Sequence, residues 1–202
     1  MGTSLWSSTA TDLLTRTASA DPTPGGGSVA ALSGAFGIAL LQMAVAVTDD
    51  PDLEQHAARL AALRAEVEPA ADEDVAVFDA LMAAYRLPRD DEGARATRTA
   101  AVTGATVAAT DAPLRLAETL AAARALSFVL EPLVKRGIRS DVLAGRDLIE
   151  GAVRAAVRTA DINLTALERT GADQAPAFRD RRDAVLAGLD PAPVPAGEGS
   201  GV

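Results

Sequence analysis

Apolar positions recur at helical spacing along almost the whole chain, and nowhere do Val, Ile, Thr and aromatic residues gather into alternating runs bounded by turns. The pattern predicts an all-α fold, a helical bundle with no strand. A first helix is expected over 3–18, with Leu5, Trp6, Leu13 and Leu14 on one side and Ser, Thr and Arg16 on the other. The second, over 27–47, is apolar nearly all round, the pattern of a helix surrounded by others, and is expected at the bundle's centre. Asp49, Asp50 and Pro51 stop and restart the chain, and a helix follows through Leu53, Leu60, Leu63 and Val67 until Pro69 divides or kinks it. Val75, Phe78, Leu81 and Met82 mark the next helix, closed at Leu87 by Pro88. From Asp90 a long helical stretch reaches about Val134, with Pro113 and Pro132 as candidate kinks. Ser140 is placed to cap a helix that runs to Gly171, and a shorter amphipathic helix is expected over 173–189. The Pro-, Gly- and Ser-rich tail at 190–202 reads as disordered, leaving a single domain over 1–189.

The stretch "DPTPGGGS" changes this plain picture. Two prolines and Gly25, Gly26 and Gly27 stand directly before the most apolar helix. A turn explains Pro24 and one glycine, and small residues at Ser33, Gly34 and Gly37 let neighbouring helices approach. Three consecutive glycines cost more backbone entropy than a turn requires, and they bare N–H groups where a helix dipole is positive, which suits a polar ligand group meeting the main chain. No strand precedes the run and the lysine of a P-loop is missing, so a nucleotide site is a poor reading. Ser28 is placed either to cap the helix or to touch a ligand.

Composition narrows the chemistry. The net charge of −9 disfavours nucleic acid and anionic membranes. With no cysteine and one histidine, His56, thiolate nucleophiles, disulfides and the usual zinc sites are excluded, and no metal or cofactor is expected. No basic leader segment is seen before an apolar one, which reads as a soluble, cytoplasmic protein.

Four stretches together, "PTPGGGSVAALSGAFGIALLQM", "DVAVFDALMAAYRLPR", "SDVLAG" and "TADINL", resemble in order and spacing the formiminotransferase-cyclodeaminase C-terminal-domain family, the cyclodeaminase and cyclohydrolase enzymes of folate one-carbon metabolism. The resemblance implies an all-helical homodimer with a folate site between helices near the subunit interface. It implies hydrolysis of 5,10-methenyltetrahydrofolate or cyclodeamination of 5-formiminotetrahydrofolate, and the stand-alone size favours the first. The chain departs from the family pattern in several places. Val75 and Val77 replace two alanines, which narrows the expected pocket; Arg89 replaces a lysine; "KRGIR" lacks an asparagine after Gly137; Leu143 replaces a glycine; Thr159 replaces an asparagine, while Asn163 remains. These losses keep two alternatives open, a non-folate amidine-type substrate and a non-catalytic ligand- or partner-binding dimer.

Adding water to a cationic amidinium carbon calls for a carboxylate that stabilises the cation and positions or deprotonates the water. The candidates are Asp141 first and Asp74 second. Asp141 in a first helical turn is equally explained by the macrodipole, and Asp74, among Asp72, Glu73 and Asp79, by a solvated face. The candidate substrate-binding residues are Pro24, Gly25, Gly26, Gly27, Ser28, Phe78, Arg89, Arg139, Ser140 and Asn163. "KRGIR" offers the densest positive patch for the glutamate carboxylates of a folate, with helix C-terminal capping as its plainer role. Gly26→Val is expected to abolish ligand binding.

Overall fold

Seven α-helices are found among the described residues, 4–189, of the computed structural model: α1 Ala10–Thr17, α2 Gly26–Thr48, α3 Glu54–Val67, α4 Ala70–Tyr85, α5 Glu92–Leu133, α6 Arg139–Thr170 and α7 Ala175–Ala187. Single 3₁₀ turns sit at Leu5–Ser7, Pro51–Leu53 and Arg136–Ile138, and no strand occurs among the described residues. The tail expected at 190–202 lies outside them.

Side-chain caps explain several boundaries. Thr9 Oγ1 accepts the Asp12 N–H at 3.1 Å and starts α1, so the single helix expected over 3–18 is a 3₁₀ turn followed by a separate helix. The turn is pinned, not the helix: the Leu5 N–H donates to Asp72 Oδ1 at 2.8 Å and Trp6 Nε1 donates to Glu68 O at 2.7 Å. In contrast α1 buries no residue, and Leu14, expected on its core side, is 73% exposed. Asp91 Oδ1 accepts from Ala94 N at 2.7 Å and starts α5, while Gly171, at φ 69°, ends α6 in the left-handed conformation that glycine adopts without penalty. Ser140 does not cap α6. The helix already begins at Arg139, and the Ser140 hydroxyl instead points to Asp141 Oδ2 at 3.4 Å.

Neither proline breaks α5. Pro132 lies in the last turn, where little helix remains to be interrupted. Pro113 is buried in mid-helix, and its missing N–H leaves the Ala109 carbonyl without the usual intrahelical donor. Asn163 of α6 fills the gap: its Nδ2 donates to Ala109 O at 3.0 Å.

The antiparallel pair α2 and α6 is the spine of the bundle, and its register is set by glycine. A Cβ on Gly37 would lie 2.7 Å from Gly145 O, and one on Gly145 would lie 2.8 Å from Gly37 O, so the two backbones touch directly. Gly34 makes equivalent room for Leu120 of α5. The α5 helix covers one side of the pair, α3 and α4 flank α2, and α7 is tied to α5 where Arg181 grips Glu118 with two nitrogens, at 2.7 and 2.9 Å, and Asp111 at 2.7 Å.

The α2 helix is not enclosed as its composition predicts. Its length and mean hydropathy of 1.9 are those of a membrane-crossing segment, but only half of it is buried. Phe36 (62% exposed), Met43 and Val47 form an open stripe, continued on the same side of α6 by Leu148 and Ile162.

Candidate active site

A cleft opens where the N-terminus of α2 meets α4 and α6. It has two adjoining lobes. One, of about 420 Å³, is walled by Gly25, Gly26, Gly27, Arg158 and Thr159; the other, of about 340 Å³, by Val77, Leu81, Met82, Tyr85 and Asn163. Asp74, Phe78, Thr159 and Ile162 border both, so Asp74 stands at their junction.

Asp74 is held from the glycine run itself. Its Oδ2 accepts the Ser28 N–H at 2.8 Å and lies 2.8 Å from Ser28 Oγ, whose single proton is shared with Ala71 O at 2.9 Å. Ser28 is fully buried, so its part is to fix this carboxylate, which in return satisfies the Ser28 N–H, one of the four free N–H groups of the helix end. Gly27 is required by the same contact: a Cβ there would lie 2.6 Å from Asp74 Cγ. Gly26 is not so constrained, because its Cβ would meet nothing nearer than Thr159 Oγ1 at 3.6 Å. Protein packing therefore demands glycine at Gly27, whereas at Gly26 a larger side chain such as valine would instead take up space at the wall of the lobe. The amides of Gly26 and Gly27 stand at the positive end of α2, and both residues line the glycine lobe.

The cleft thus gathers Gly25, Gly26, Gly27, Asp74, Phe78 and Asn163 from the sequence candidates, with Ser28 immediately behind. Pro24 is buried and lines neither lobe. Arg89 lies exposed past the end of α4 and lines neither lobe. The group Arg139, Ser140 and Asp141 sits at the opposite end of the spine: 18 residues separate Asp141 from Thr159, about 27 Å along one helix. "KRGIR" is occupied there with closing helices, as Lys135 Nζ donates to Val47 O at 2.8 Å and Arg139 to Pro132 O at 3.3 Å. Of the two enlarged valines only Val77 reaches the cleft; Val75 packs against the core.

Arg158, Ile162 and Tyr85 are cleft residues that sequence reasoning passed over, and Thr159 it noted only as a departure. The signal was present in helical spacing. Counting back from Asn163 by four residues reaches 159, and the neighbouring stripe holds 155, 158 and 162.

Chemically, a fixed carboxylate between an apolar lobe and a lobe of bare amides is equipped to steady a cationic centre and to take a proton from water beside it. The sequence matches the formiminotransferase-cyclodeaminase family over residues 9–176. A methenyltetrahydrofolate cyclohydrolase of Methylorubrum extorquens is 40% identical over 105 residues, which are 48% of this chain and 50% of that protein, so the match spans about half the length of that relative. The crystal structure of formiminotetrahydrofolate cyclodeaminase from Thermotoga maritima superposes with a TM-score of 0.70, covering 91% of this chain and 94% of that one at 19% identity, a likeness of fold. By the extent of the family match, the chain belongs to the formiminotransferase-cyclodeaminase family.

Proposed function

We propose that the protein hydrolyses 5,10-methenyltetrahydrofolate to 10-formyltetrahydrofolate, with Asp74 as the acid–base group. The observation that carries this reading is the Asp74 carboxylate, clamped by Ser28 at the junction of the two lobes. The match to a cyclohydrolase over half its length supports it. In this reading the negative charge of Asp74 favours the cationic amidinium and takes a proton as water adds to the one-carbon unit. The same proton passes to N5 as the C–N5 bond breaks, and the carbinol hydroxyl loses its proton to solvent as the formyl carbonyl forms. One water is consumed and one proton released, with no cofactor needed.

The reading includes a homodimer, with the open α2–α6 stripe covered by a second copy. Gly151, midway between Asp141 and Ile162, has nothing within 4 Å of its Cβ position, so two α6 helices can cross there closely. A two-fold axis at that point runs the partner's α6 antiparallel and carries Asp141 of the partner subunit towards this cleft. Leu148 and Phe36 then fall near the centre of the interface.

The test is loss of methenyl absorbance under purified enzyme. Asp74→Asn is expected to lower kcat by about 10²–10⁴ with helical content intact. An unchanged rate would discard Asp74, and ammonia release from 5-formiminotetrahydrofolate without methenyl hydrolysis would replace the reaction. Mixing inactive Asp74→Asn and Asp141→Asn subunits should restore up to about a quarter of wild-type activity, since half the dimers are then mixed and each has one intact site. A fully active Asp141→Asn enzyme would remove that residue from the site.

A further inference from the structure

Most arginines projecting from α6 are engaged. Arg146 pairs with Glu131 at 2.5 Å and Arg154 with Glu150 at 2.9 Å, and the nearby Asp161 is taken by Arg182 of α7 at 3.1 Å. Arg158 is different. Like Arg169 it has no ion-pair partner among the described residues of its own chain, but it alone of the two lines the glycine lobe, where it is exposed on the single subunit beside Ile162, at the edge the proposed second copy approaches. In a chain of net charge −9, a guanidinium left unpaired at a cleft rim is the group best placed to hold an incoming anion.

We infer that Arg158 is a specificity residue that recognises a carboxylate on the tail of the substrate. The inference rests on the folate reading above and deepens it. Asp74 and Arg158 give the cleft two poles in a fixed order: the apolar lobe with Tyr85 and Met82, then the Asp74 carboxylate, then the glycine lobe with Arg158 at its edge. A methenyl-folate presents the matching order, a flat apolar-faced pterin, a cationic one-carbon bridge, then an aminobenzoyl group ending in glutamate carboxylates. Seating the bridge at Asp74 with the pterin in the apolar lobe sends the tail past the glycine amides to Arg158. The reverse orientation would set the glutamate among Leu81, Met82 and Val77, where no cation lines the wall. The planar fork of Arg158 suits a carboxylate in two-point contact, which an exposed lysine does not reproduce.

The experiment compares wild type, Arg158→Gln and Arg158→Lys on the glutamyl substrate and on its pteroate counterpart, which lacks glutamate. Arg158→Gln is expected to raise KM for the glutamyl substrate about three- to tenfold, the range for a charge-assisted contact at a cleft rim, with kcat held and KM for the pteroate unmoved. Arg158→Lys should recover part of the loss. Equal effects on both substrates, or none on either, would overturn the inference. If wild type turns over neither substrate, the folate reaction itself fails. The side chain is then read directly through the Arg158 Nε–H resonance during titration with p-aminobenzoylglutamate: a saturable shift keeps carboxylate recognition, and an unmoved resonance ends it.

Discussion

The contact between Asn163 and Ala109 makes a sharp prediction, because a proline elsewhere in the sequence creates the need for it. Pro113 denies Ala109 O its helical donor, and Ala109 is only 5% exposed. Asn163→Ala therefore strands a mostly buried carbonyl. Leaving such a group unsatisfied costs about 1–3 kcal/mol, and access of cleft water to the half-buried amide position places the expected loss nearer 1–2 kcal/mol. In a Pro113→Ala background the backbone N–H of residue 113 returns and can bond Ala109 O itself, so Asn163→Ala should there cost about 1 kcal/mol less. Urea unfolding of the four proteins, at one fixed protein concentration and followed by far-ultraviolet circular dichroism, closes the cycle. The coupling is the quantity of interest, since Pro113→Ala alone mixes a gain in helix propensity with lost ring packing. An Asn163→Ala penalty equal in both backgrounds would refute the argument and leave the amide free to serve a ligand alone.

Two further substitutions probe the glycine run and the charged flank of α6. Gly27→Ala should displace the Asp74 carboxylate, break its bond with the Ser28 N–H and abolish turnover, whereas Gly26→Ala, with 3.6 Å to its nearest neighbour, should keep most activity; similar losses in the two variants would contradict the steric assignment. Hydrogen bonding from Arg154 first, and from Arg124 after it, holds Glu150 below its ordinary value of 4.5 against the opposing pull of burial. A carboxyl with a lowered folded pKa stabilises the protein fully above its unfolded value and loses that contribution as pH falls through the folded one. Acid unfolding of wild type and Glu150→Gln should therefore draw together as pH falls below the ordinary glutamate value; curves that stay parallel would show the pairing to be without consequence.

The helices were legible because burial follows their period: Leu60, Leu63 and Val67 of α3, like Val142, Ile149, Val153 and Val157 of α6, lie on the faces their spacing marks out. The first helix was misread because Leu5 and Trp6 are fixed by hydrogen bonds to Asp72 and Glu68, more than sixty residues away, contacts that no local period encodes. The enclosure of α2 was overread for a related reason. An apolar side chain facing a core and one facing an uncovered surface look alike in sequence. Asp74 and Ser28 were both visible as candidates, but not their bond across 46 positions, which turns an acidic cluster into a placed carboxylate. Asp141 drew attention through its motif, although α6 is long enough to carry it far from the cleft of its own chain.

The touching backbones of Gly37 and Gly145 act as the zero mark of a ruler. Eleven residues one way lie the bare amides at Gly26; ten the other way lies the Val47 carbonyl that Lys135 closes, each about 15 Å from the mark. Sliding either helix by a single residue would drive a methyl or larger group into a neighbouring main chain, so no intermediate alignment exists. The distance from glycine loop to Thr159 and the seating of the far terminus are therefore one measurement, made once, at a point that touches neither.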